Sequence, residues 1–94
     1  MKVMFLEVEL LIEESRSLKQ KRHIIKGLKE KVKTKFNASV IECGYQDKWQ
    51  RAQICCVFIR ADSKEVDKTK SAVISFLEVY PGIILVDYNE ERLA

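Results

Sequence analysis

The sequence predicts an α+β sandwich in which one antiparallel sheet carries two helices on a single face. Three observations point there. The chain opens with apolar residues at a period of two, two later segments repeat at helical spacing, and turn-forming residues mark the changes between elements. The resulting order is β-α-β-β-α-β in 94 residues, room for a single domain over 1–94.

Residues 3–12 form the first predicted strand. Met4, Leu6, Val8, Leu10 and Ile12 fill its even positions, whereas the odd ones include Glu7 and Glu9, so one face is buried. Ser17 with Gln20 three residues on is a capping-box pattern that opens a helix running to about Lys35. Leu18, Ile25, Leu28, Val32 and Phe36 share one side of it, with Ile24 beside them. Asn37 punctuates, and a second strand covers 38–45. After a turn over 46–50, residues 51–61 read as a third strand. Asp62 and Glu65 cap a second helix over 63–79 that buries Val66, Val73 and Leu77. Pro81-Gly82 stops it, because the proline disfavours helical geometry at Tyr80. Residues 83–89 complete the sheet.

This order is that of the ferredoxin-like split βαβ. Right-handed crossovers give strand order 4-1-3-2 with both helices on one face and the other face open.

Composition narrows the function. At 47% apolar and 33% charged the chain is neither disordered nor membrane-embedded, and its apolar runs are too short to span a bilayer. Glu7 and Glu9 interrupt the apolar N-terminal stretch, which argues against a signal peptide. Cys43, Cys55 and Cys56 are odd in number and lack CxxC spacing, so reduced thiols in the cytoplasm are expected. Adjacent strand residues point to opposite faces, so Cys55 and Cys56 cannot clamp a metal together, and His23 is the only histidine. Neither a metal nor a cofactor is expected.

Charge is segregated. Residues 17–35 hold eight basic side chains and one acid, a net +7, which leaves −4 for the rest of a chain whose total is +3. At about 100° per residue, Lys19, Arg22, Lys26, Lys29 and Lys33 fall within an arc of about 80°. They make a stripe about 21 Å long at 1.5 Å per residue. A solvated lysine face normally interleaves glutamates, each i,i+4 pair adding a few tenths of a kcal/mol. Here like charges stand side by side, an arrangement that a nucleic acid backbone relieves. No aromatics interleave, so structured RNA read through backbone and shape fits better than base stacking.

On the open face, Glu7 and Glu9 flank Phe5 and would repel phosphates, which removes the stacking mode of RNA recognition motifs. Arg51 is expected near Glu9 and Gln53 near Glu7, leaving an apolar end at Val3, Phe5, Val57 and Ile59 suited to a homodimer or a protein partner. Trp49, in the turn, is either an interface anchor or a local core plug.

No catalytic machinery is evident. The loop Glu13-Glu14-Ser15-Arg16 lacks the glycine nest of an acylphosphatase, and no GxGxxG, Walker A or HExxH occurs. The chain is expected to be a non-enzymatic module without a small-molecule substrate.

Ser17-Leu18-Lys19, Lys21-Arg22, Phe36-Asn37 with Ser39-Val40, and Trp49-Gln50-Arg51-Ala52 resemble the motifs of the YlxP-like family of small uncharacterised bacterial proteins, over nearly the whole chain. The resemblance implies a ferredoxin-like fold and a gene-neighbourhood association with translation and ribosome maturation. It implies no activity. Cys55-Cys56 stands where that family usually has small residues, and Gly27 where serine is common.

Overall fold

Alternation along one strand organises the molecule. In the computed structural model, which describes residues 1–94, β1 (Lys2–Leu11) is a central strand with Met4, Leu6, Val8 and Leu10 buried beneath the helices. It is followed by α1 (Leu18–Phe36), β2 (Ser39–Gly44), β3 (Arg51–Arg60), α2 (Ser63–Glu78) and β4 (Ile84–Arg92). The four strands are antiparallel in the order β2-β3-β1-β4, the predicted ferredoxin-like arrangement. Ala52, Ile54, Cys56 and Phe58 of β3 join β1 in the core, met by Ile25, Leu28 and Val32 from α1 and by Val66, Val73 and Leu77 from α2. The branched, phenylalanine and methionine side chains among them each contribute about 1.5–3 kcal/mol on full burial.

The helix ends follow their local chemistry. Ser17 Oγ accepts from the Gln20 amide at 3.1 Å, while the Gln20 side chain accepts from the Arg16 amide at 2.6 Å. Asn37 ends α1 in the left-handed region, at φ 49. Arg60 closes that end from β3, donating to the Phe36 carbonyl and, at 3.0 Å, to Thr69 of α2. Asp62 caps α2 by accepting from the Glu65 amide at 2.9 Å.

β4 runs three residues beyond the predicted Asn89. Its charged end stays in the sheet because Glu90, Glu91 and Arg92 pair with Leu6, Phe5 and Met4. Glu90 also takes Lys70 of α2 at 2.8 Å, and Arg92 pairs with Asp67. The hydrogen bond to Glu90 raises Lys70 above the ordinary lysine range. Both outer strands carry a register shift, β4 where it meets Glu9 and Leu10, and β2 between Glu42 and Gly44.

One buried group is charged. Lys21 of α1 is 1% exposed, its ammonium 2.9 Å from Glu42 Oε2 and donating to the Tyr45 carbonyl. That Glu42 oxygen is buried and accepts no hydrogen bond, so the attraction is ionic. Removing one member of such a pair strands the other charge, whereas replacing both with apolar groups is often neutral. Lys21→Met should therefore destabilise by roughly 3 kcal/mol, and Lys21→Met with Glu42→Leu should return to within about 1–2 kcal/mol of the parent. Denaturant unfolding of both variants checks this; a single variant as stable as the parent would show the pair to be dispensable.

Candidate functional site

The apolar side of α1 faces the sheet, which turns the basic residues outward. Lys19, Arg22, Lys26 and Lys33 are exposed and Lys29 is half-buried. None of the five enters an ion pair or a side-chain hydrogen bond. The four ion pairs of the protein lie elsewhere, at Lys21, Arg51, Lys70 and Arg92. Glu14 lines the same depression as Lys19 and His23 without pairing to the lysine. At its far end the stripe runs into an open groove of about 540 Å³, where Lys33 meets Thr34, Asn37, Ser39, Val57 and Ile59. Lys31 and Lys35, off the stripe, lie over aromatic rings, 5.2 Å from Tyr80 and 5.8 Å from Phe76.

The opposite face of the molecule is acidic. Glu7 and Glu9 of β1 share it with Glu91, which stands opposite Phe5, and Asp87 is the register partner of Glu9. Arg51 is the one guanidinium there, bonded to Glu9 and stacked 4.7 Å from the Tyr45 ring. That contact matches the sequence expectation. Its companion does not: Gln53 lies opposite Glu9, and Glu7 lies opposite Cys55, because the register is set one pair further along.

The interface candidates do not form one surface. Phe5 and Val57 are half-buried cross-strand partners beside Ile59, which is 58% exposed. Ile41, 61% exposed, extends this apolar end onto β2, a residue that sequence reasoning left out. Trp49 and Arg51 lie at the other end of β3, roughly 27 Å from Ile59 at 3.4 Å per residue. Trp49 is 54% exposed and outside the core, so it does not act as a plug.

The cysteines depart from expectation. Cys43 and Cys55 are joined in a disulfide with a Cα separation of 6.1 Å, so the chain does not carry three reduced thiols. Cys55 projects onto the open face from β3, and the register shift between Glu42 and Gly44 brings Cys43 alongside it. Gly44 permits that approach, since a Cβ there would meet Gln53 Cβ at 3.2 Å. Closing a loop of this length adds about 3 kcal/mol in the chain-entropy account. Glu7 completes the cluster: its carboxylate oxygen and the two sulfurs lie within 4.8 Å of one another. Cys56 points into the core, where burial pushes its thiol up to about 11.

Comparison with known proteins relates the chain to others by sequence. Residues 3–90 match the family model described as "Protein of unknown function (DUF503)". The chain is also 35% identical over 79 residues to a Bacillus subtilis (strain 168) protein described as "Uncharacterized protein YlxP", which spans 84% of this chain and 86% of that relative.

With one disulfide and one buried thiol, unreduced protein at pH 8 should show no thiol to an aromatic disulfide reagent while folded and one per chain after unfolding. Three thiols in the unfolded sample would exclude the bridge. Because the Cys56 thiol ionises near 9 when unfolded and only near about 11 when folded, its contribution to stability is full below pH 9. It should decline as the pH rises from 9 to about 11, measurable as a drop in unfolding midpoint that Cys56→Ala makes smaller.

Proposed function

The chain belongs to the DUF503 family of proteins of unknown function, and from that premise we propose that it is a non-catalytic binding module that engages structured RNA, free or in the ribosome, through α1. One observation carries the reading: Lys19, Arg22, Lys26, Lys29 and Lys33 line one helix without a single carboxylate within ion-pair distance. Five adjacent cations with no internal neutralisation gain from a polyanion through counterion release. The groove at the Lys33 end adds the Asn37 amide and the Thr34 and Ser39 hydroxyls, groups suited to backbone and 2′-hydroxyl contacts. The carboxylates of the open sheet stand on the other side of the core, where they do not oppose an anion on α1.

A second reading has its own observation. Ile41 and Ile59 are each more than half exposed on the open face, beside Phe5 and Val57, and a second copy or another protein would bury them.

Binding of a labelled RNA stem-loop should fall with salt at a log–log slope of about −3.5 to −4.5 if all five side chains contact phosphates. Lys26→Glu with Lys29→Glu should weaken it by at least about 100-fold at moderate salt. Equal affinity of parent and double variant would remove α1 as the site. For the second reading, sedimentation at micromolar concentration should report a dimer that Ile59→Asp dissociates; a strict monomer argues against it.

A further inference from the structure

We propose that Glu7, Cys43 and Cys55 constitute a binding site for a thiophilic divalent cation of the zinc class, formed when the cysteine pair is reduced and lost when it is oxidised. The three residues come from three adjacent strands, β1, β2 and β3, and share the open face. Glu7 and Cys55 are direct register partners, and Cys43 reaches the same row through the β2 irregularity. Their donor atoms lie within 4.8 Å of one another. A tetrahedral zinc with bonds of about 2.0–2.3 Å spaces its ligands by about 3.5–3.8 Å. Assembly therefore asks the two sulfurs, once reduced, to part from bonding distance, about 2.0 Å, to about 3.7 Å, and the Glu7 oxygen to close by up to about 1 Å, movements within the reach of side-chain torsions.

The remaining chemistry is consistent with this assignment. Two thiolates and a carboxylate form a donor set that favours zinc over magnesium or calcium. The Glu7 carboxylate enters no hydrogen bond or ion pair within the protein, so a metal would displace nothing from it. The nearest cation on the face, Arg51, is already held by Glu9 and the Tyr45 ring. Cys43 Sγ lies 3.5 Å from the Gln53 carbonyl oxygen, over the gap between β2 and β3. Three protein donors leave the fourth coordination position to water or to an outside ligand.

The two states exclude each other. One thiolate of a dithiol reductant attacks the Cys43–Cys55 bond to form a mixed disulfide, which its second thiol resolves; the reductant leaves with its own two sulfurs joined, and Cys43 and Cys55 each end as a thiol. The cation then binds as each thiol releases a proton to solvent, forming two metal–sulfur bonds and one metal–oxygen bond to Glu7. Oxidation by a disulfide-bearing partner reverses the sequence, freeing the cation as the Sγ–Sγ bond reforms.

Cobalt(II) titration after reduction with a water-soluble phosphine tests the site. The reduced parent should bind one cobalt per chain with thiolate-to-cobalt charge-transfer absorption, displaced by zinc; the unreduced parent should show none. Cys43→Ser should abolish the band and Cys56→Ala leave it intact. Glu7→Gln, which keeps the disulfide, should bind cobalt at least about 10-fold more weakly. The proposal is overturned if folded, reduced parent shows no band at excess cobalt. It is equally overturned if Glu7→Gln binds as the parent does, or if circular dichroism shows that reduction alone unfolds the sheet.

Discussion

A single ammonium group inside the protein fixes the rotation of α1. Lys21 reaches through the helix–sheet layer to Glu42 and to the Tyr45 carbonyl, both at the far end of the edge strand β2. An apolar residue there would satisfy the core equally well but would tolerate small rotations of the helix. An ion pair with two fixed partners does not. With Lys21 turned inward, the outward phase of the helix follows, and so does the alignment of the five basic residues along it. The same contact holds β2 immediately before its register shift, so the position of Cys43 depends on it as well.

Charge separation is the second organising feature. The helix layer gathers the cations and the open sheet gathers the carboxylates, with an apolar core between them. Ion pairs along the β4 side, Lys70 with Glu90 and Arg92 with Asp67, tie α2 to the sheet. The outward-facing basic residues of the first helix receive no such neutralisation. Exposed pairs of this kind each contribute only about 0–1 kcal/mol, so their distribution says more about where ligands can dock than about what holds the fold together.

The fold was legible because each level of the sequence agreed. Period-two alternation in β1, the Ser17–Gln20 and Asp62–Glu65 caps, and Pro81-Gly82 all specify boundaries through local chemistry, and the structure realises them within a few residues. The end of β4 was hidden because Glu90, Glu91 and Arg92 read as surface loop until their partners on β1 and α2 are known. Lys21 carried a signal that charge counting obscured. It precedes Ile25 by four residues, Leu28 by seven and Val32 by eleven, the helical phase of the buried stripe. The Cys43–Cys55 pairing was not legible, because a strand irregularity shifts which residues face each other and no local residue pattern announces it.

Those irregularities also govern how the molecule can meet others of its kind. A sheet with two unpartnered rims invites additional strands to zip onto it, the route by which β-rich chains polymerise. Here each rim is interrupted, by the shift beside Cys43 on one side and by that opposite Glu9 and Leu10 on the other. Such kinks twist the backbone groups out of the line an incoming strand would need. Growth at the margins is thereby discouraged.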